Sequence, residues 1–180
     1  MLRRLIWMAR ADRLGPDLPL THFLLHFPYI MRKLGRSKFA HFGDNAIVRP
    51  FSYAVCTSNI SLGKNVVIRP GTMLFAGETP EGTITIEDDC LLGSGIHMYC
   101  DNHEFSSVSV PISLQGFRPT APILVKSGAW IGANAILLPG VVVGKNSVIG
   151  AGSVVNKSIP DFSVAAGNPC KVIRTLHADV

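Results

Sequence analysis

Charge is scarce in this chain: only 16% of its residues are Asp, Glu, Lys or Arg. Gly is frequent and β-branched residues abound instead, a composition suited to stacked short strands joined by turns. No apolar run approaches the roughly 20 residues that a membrane-spanning helix needs. Cysteine is equally uninformative as a scaffold. Cys56, Cys90, Cys100 and Cys170 show no CxxC spacing, so no disulfide framework is expected and a reducing, cytoplasmic setting is the natural expectation. Met1–Leu14 opens with an Arg pair, but Arg10, Asp12 and Arg13 interrupt its apolar stretch, which argues against a cleaved secretion signal. No nucleic-acid-binding motif stands out. What remains is a single domain of 180 residues, long enough to bury a core.

Against these absences stands a strong regularity. Val125, Ile131, Leu137, Val143, Ile149 and Val155 recur every six residues without a gap. Ile123, Ala129, Ala135, Val141, Ser147 and Ser153 precede them by two and are further inward candidates. Asn134 and Asn146 sit where a left-handed turn is wanted. Neither a helix near 3.6 nor a strand near 2 gives such a period, whereas short strands with tight corners, stacked as a β-helix, do. The register extends backward through Ile86–Leu92–Met98, Leu62–Ile68–Leu74 and Phe42–Val48–Ala54. The expectation is an all-β, left-handed, three-sided prism of about five coils over residues 40–157. Extra residues fall only after the third member of a set: two after Ala54, six after Leu74 and twenty-one after Met98. A stack tolerates insertions at a corner but not within a strand, where a one-residue slip turns the inward row outward.

The basic residues are unevenly spread. Residues 1–40 hold eight of the seventeen Lys and Arg (Arg3, Arg4, Arg10, Arg13, Arg32, Lys33, Arg36, Lys38) against Asp12 and Asp17. The prism itself is therefore not basic, which argues against nucleic acid as a partner. Leu20, Phe23, Leu24, Phe27, Ile30, Met31 and Leu34 follow helical spacing, with Pro28 expected to split the helix. Two readings of residues 1–39 fit. One is a cap over the open edge of the first coil; the other is peripheral association of residues 1–38 with an anionic membrane.

Chemistry is expected in the largest insertion, loop 99–122, because loops on a rigid scaffold commonly carry catalytic groups. It opens Asp101-Asn102-His103-Glu104. His97 lies between inward Ile96 and Met98 and so points outward. Cys100 offers a rival route as a nucleophile that forms a covalent intermediate.

The six-residue rows, the stretch Trp130-Ile131-Gly132-Ala133-Asn134 and the tail Gly167-Asn168-Pro169-Cys170-Lys171-Val172-Ile173-Arg174 resemble the hexapeptide-repeat, left-handed β-helix acyltransferases. The similarity is to the sugar O-acetyltransferase branch, with its galactoside, maltose, nodulation-factor, xenobiotic and polysaccharide enzymes, and covers residues 40–175. It implies acetyl-CoA as donor, a sugar or glycan acceptor, no metal, and a homotrimer with active sites between neighbouring prisms. Residues 158–180 would close the last coil.

By this resemblance His103 is the catalytic general base, and the backbone N–H of Ala133 donates to the oxyanion. His97, Asp101 and Asn102 border the acceptor. Trp130, Ala133, Ala151, Asn156 and Lys157 follow the CoA arm, and Lys171 and Arg174 approach its phosphates. Which of Asp101, Asn102 or Glu104 orients His103 stays open. So do N-acetylation of an amino sugar, a zinc hydratase on the same prism, and a non-catalytic solenoid.

Overall fold

The computed structural model describes Trp7 and residues 10–177; most of Met1–Leu14, including Arg3 and Arg4, lies outside them. Its core is a left-handed, three-sided parallel β-helix. On the first face Phe42, Leu62, Ile86, Val125 and Val143 stand in one cross-strand register. On the third face the row is Ala54, Leu74, Met98, Leu137 and Val155. The second face pairs Val48 with Ile68, and separately aligns Leu92, Ile131, Ile149 and Ala165. All of these side chains are buried. Each coil alone exposes its inner face, and stacking buries all of them in one continuous core.

The stack runs further than the six-residue spacing marks. Ile159 bridges Val143 in parallel, and Ser163–Ala166 adds another strand to the second face, giving five complete coils and part of a sixth. The spacing hides this turn because Ile159 follows Val155 by four residues. Lys171–Thr175 then folds back antiparallel on Ser163–Ala166.

Corners explain the period. Three residues after an inward side chain the backbone enters the left-handed region, at Asn45, Asn65, Asp89, Asn134 and Asn146 among others. Asn and Asp tolerate that conformation, and here they also bridge coils: Asn45 Nδ2 donates to Asn65 Oδ1 at 3.1 Å, and Asn65 Nδ2 to Asp89 Oδ1 at 2.6 Å. Gly95 is required twice over. Its φ is +68°, and a Cβ there would stand 2.3 Å from Asn134 Oδ1 of the next coil. Buried hydroxyls mostly find partners, as burial demands: Ser147 Oγ donates to Pro160 O at 2.7 Å and Ser153 Oγ to Gly150 O at 2.7 Å, whereas buried Thr72 Oγ1 has no partner among the described residues.

At the N-terminal end two short helices, α1 (Pro19–Leu24) and α2 (Pro28–Lys38), lie over the first coil. Pro opens each helix, where its missing N–H costs nothing. Leu25, Met31 and Phe39 join the core, and Arg13–Leu14 pairs antiparallel with Ala54–Val55 at the open edge of the third face.

Candidate active site

All three insertions leave the prism at the corner between its third and first faces, so they stack on one edge. Thr57–Asn59 forms a short 3-10 turn, residues 76–83 a tight loop, and 100–122 a long folded excursion. They are laced together. Asn59 Nδ2 donates to Gly77 O at 2.8 Å, and the Thr79 and Thr120 hydroxyls meet at 2.8 Å. Between them lies a cavity of about 730 Å³, within the size range of small-molecule sites. Phe75, Phe117 and Ala76 supply apolar wall, while Glu78, Glu81, Asp101 and Arg118 supply charge.

His103 lies at the base of the long loop, where it forms an antiparallel bridge with Phe117. Its exposed imidazole stacks on the Phe117 ring at 4.5 Å and 28°, and Phe117 also lines the cavity. Asp101 lines the cavity directly. Asn102 is exposed and accepts the Arg118 N–H at 2.9 Å through its carbonyl. Glu104 is committed elsewhere. Its Oε1 accepts from the Phe105 and Ser106 amides at 2.8 and 2.9 Å and meets Arg118 at 3.5 Å. Hydrogen bonds from Ser106 and Phe105 hold its carboxyl down at about 2. Arg118 in turn covers the Phe105 ring at 4.1 Å. His97 points outward on the third face beside Met73 and Ile136. Its Nδ1 lies 3.0 Å from the Tyr99 hydroxyl, and the Tyr99 ring packs at a tilt against Phe75 of the cavity wall, centroids 5.4 Å apart. His97 thus reaches the cavity through two aromatic neighbours, whereas His103 meets it through Phe117.

Cys100 is inward and buried, with its thiol directed at Thr83 O at 3.3 Å. Burial pushes that thiol up to about 11, which disfavours the thiolate an acyl-enzyme would need. Among the described residues no three His, Cys, Asp or Glu side chains converge as a metal site requires.

The positions assigned to the CoA arm divide between two edges. Trp130 is half exposed on the second face, in an outward row that runs Leu91, Trp130, Val148, Val164 and Arg174. Ala133 and Ala151 stack at the next corner. Their coils approach so closely that a Cβ on Gly132 would lie 2.5 Å from Ala151 N. Among the described residues, the N–H groups of Ser94, Ala133 and Ala151 donate to no backbone carbonyl, leaving a short ladder of uncommitted donors at this corner. Lys171 lies across from Ala166, and Arg174 across from Val164. Both are exposed, and neither enters an ion pair among the described residues. Asn156 and Lys157 follow Val155 on the other edge, the one that carries the His103 loop. Within one chain, therefore, the His103 cavity and the Ala133 donors lie at opposite edges of the third face.

Phe117, Arg118, Tyr99, Glu78 and Glu81 were not singled out from sequence. The signal was available: insertions confined to one corner of successive coils must stack, and a cleft between them follows.

Comparison with known proteins gives a consistent picture. A family profile described as "Bacterial transferase hexapeptide (six repeats)" matches residues 122–157, and one described as "Hexapeptide repeat of succinyl-transferase" matches residues 83–95. A Saccharomyces cerevisiae protein named as an acetyltransferase is 38% identical over 74% of this chain and 64% of its own length. Galactoside O-acetyltransferase of Escherichia coli is 36% identical over 79% of this chain. This chain spans 66% of that relative, so it covers just under two thirds of both. A solved galactoside acetyltransferase in complex with coenzyme A superposes with a TM-score of 0.75 at 32% identity, over 86% of this chain and 78% of the other.

Proposed function

The chain belongs to the hexapeptide-repeat acetyltransferase family, and from that membership we propose that it transfers an acetyl group from acetyl-CoA to a hydroxyl of a sugar or glycan. The observation that carries this reading is the ladder of N–H groups at Ala133 and Ala151 that are uncommitted among the described residues, bordered by exposed Trp130 and by the exposed cations Lys171 and Arg174. An extended, amide-bearing arm with phosphates at one end suits such an edge, since backbone donors meet the arm and fixed positive charge meets the phosphates. Acetyl-CoA supplies an activated thioester carbonyl. His103 accepts the proton of the acceptor hydroxyl and later returns it to the departing sulfur. The Ala133 N–H donates to the carbonyl oxygen as that oxygen gains charge. Phe117 holds the imidazole by its face, and the cavity beside it receives the acceptor, bordered by Asp101, Asn102 and His97.

The working form we propose is a homotrimer. His103 and Ala133 occupy different edges of one prism, so a second copy is needed to bring base and oxyanion donor together. The exposed strand Lys171–Thr175, with Val172 and Ile173 bare, is an edge that a neighbour would cover. Sedimentation showing a stable monomer at micromolar concentration would refute this assembly. Four free thiols suit the cytoplasm as the working compartment, with polysaccharide biosynthesis as the setting.

A second reading has its own support. Glu78, Glu81 and Asp101 face the cavity against the single cation Arg118, which favours an acceptor bearing an amine and hence N-acetylation of an amino sugar. A thiol-release assay with acetyl-CoA against free sugars, nucleotide sugars and amino sugars separates the two. Turnover with none of them would refute both.

A further inference from the structure

The N-terminal end of the prism carries a surface that the acetyl-transfer reading leaves unused. On the inner side of α1 and α2, Met31 and the flanking Leu25 join the core and Leu34 packs against it. Their outer side leaves Phe23 59% exposed, Phe27 43% and Tyr29 65%. These rings continue onto the prism. Phe27 meets Phe23 at 5.3 Å, Phe23 meets His26 at 6.2 Å, His26 meets His22 at 5.9 Å, and His22 meets Phe51 at 4.9 Å. The result is one contiguous aromatic strip, whose far member Phe51 is itself 63% exposed.

Phe51 is also out of place locally. It occupies a corner with φ +64°, a conformation that Asn, Asp or Gly takes at nearly every other corner. A bulky side chain there is strained, and beyond its edge contact with His22 it gains little burial in return; Phe162 is the other aromatic at a left-handed corner, and it is less exposed.

Charge identifies what the strip fits. From residue 18 to residue 43 there is no Asp or Glu, while Arg32, Lys33, Arg36 and Lys38 all fall there. Arg32, Lys33 and Arg36 lie on the exposed side of α2, and Lys33 Nζ stands 4.9 Å over the Tyr29 ring. Among the described residues only Arg36 of these four cations forms an ion pair, with Asp44 at 3.4 Å on an exposed surface. Exposed aromatic rings flanked by Arg and Lys, with no acid between, match the headgroup layer of an anionic bilayer. Rings settle at the acyl boundary and cations meet lipid phosphates. No helix among the described residues is long and apolar enough to cross a membrane, so the contact is with one leaflet.

We propose that the strip from Phe51 through Phe23 and Phe27, with Arg32 and Lys33 beside it, docks this protein on an anionic membrane surface. The test is co-sedimentation of the full chain with vesicles of phosphatidylcholine alone or mixed with phosphatidylglycerol. Wild-type protein should pellet with the anionic vesicles, less so as salt rises, and far less with the neutral ones. R32Q/K33Q should lower the partition coefficient about thirtyfold. F23S/F27S/F51N should lower it at least as much while leaving thiol release and oligomer size unchanged, since Asn suits the Phe51 corner. Wild-type protein that stays in the supernatant with anionic vesicles would overturn the proposal, as would a triple variant that pellets normally. A triple variant of altered oligomer size would also overturn it, by assigning the strip to a contact between copies.

Discussion

Replacing His103 by Ala separates stability from chemistry. The imidazole is exposed on a corner loop, and its ring contact is the stack with Phe117 at 4.5 Å. Such a pair contributes about 0.5–1.5 kcal/mol. In a chain of this size about 1 kcal/mol moves Tm by roughly 2–4 °C. His103→Ala should therefore fold and assemble normally, with Tm lower by only a few degrees. Turnover should fall by about 10²–10⁴, the usual contribution of a positioned proton acceptor, or roughly 3–5 kcal/mol of barrier. Acetyl-CoA affinity, measured by calorimetry, should barely move, because the imidazole acts on the acceptor. Phe117→Ala keeps the base but frees its ring, so turnover should drop by less than in His103→Ala. Cys100→Ser should remain active, since the thiol is buried and held protonated. Thiol release at saturating substrates reads all three. Near-normal turnover in His103→Ala would remove the base from the mechanism, and inactive Cys100→Ser with ping-pong kinetics would replace it with a covalent route.

Other outcomes follow from the same geometry. Reversing charge at Lys171 and Arg174 should raise the KM for acetyl-CoA with little loss of kcat, because uniform binding is removed; an unchanged KM would take both residues out of the site. Gly95→Ala should destabilise by about 2–4 kcal/mol, combining left-handed strain with the clash against Asn134. Adding Asn134→Gly should recover the steric part, which chemical denaturation can check. Ile131→Ala, at a fully buried position of the second face, should cost about 2–5 kcal/mol by the same measurement. Acid should loosen the long loop in a defined window. The Glu104 carboxyl sits at about 2 against an ordinary 4.5, so its contribution is complete above the ordinary value and lost as pH falls through about 2. Amide-exchange protection at Phe105 and Ser106 should fall across that interval in the wild type. In Glu104→Gln it should already be low at neutral pH.

The period of six determined the architecture without help from the structure. A side chain that must return to the same interior every six residues admits only a stacked three-sided coil, and each interruption at one corner preserved that register. Val125, Ile131 and Leu137 announce their faces in the sequence because alternation and corner geometry are local properties. The turn through Ile159 stayed hidden for the same reason, since a shortened corner breaks the local count while the cross-strand bridge to Val143 survives. His103 was legible as a candidate because it stands in the one long polar insertion. What surrounds it was not. Phe117 lies fourteen residues onward, and Glu78 and Glu81 belong to a different coil; only stacking brings them to one cavity. Glu104 looked free to orient the imidazole until the fold gave its carboxylate to Phe105, Ser106 and Arg118. The split between the Ala133 edge and the His103 edge is likewise a tertiary fact, because six-residue spacing names a face but not which neighbour that face will meet.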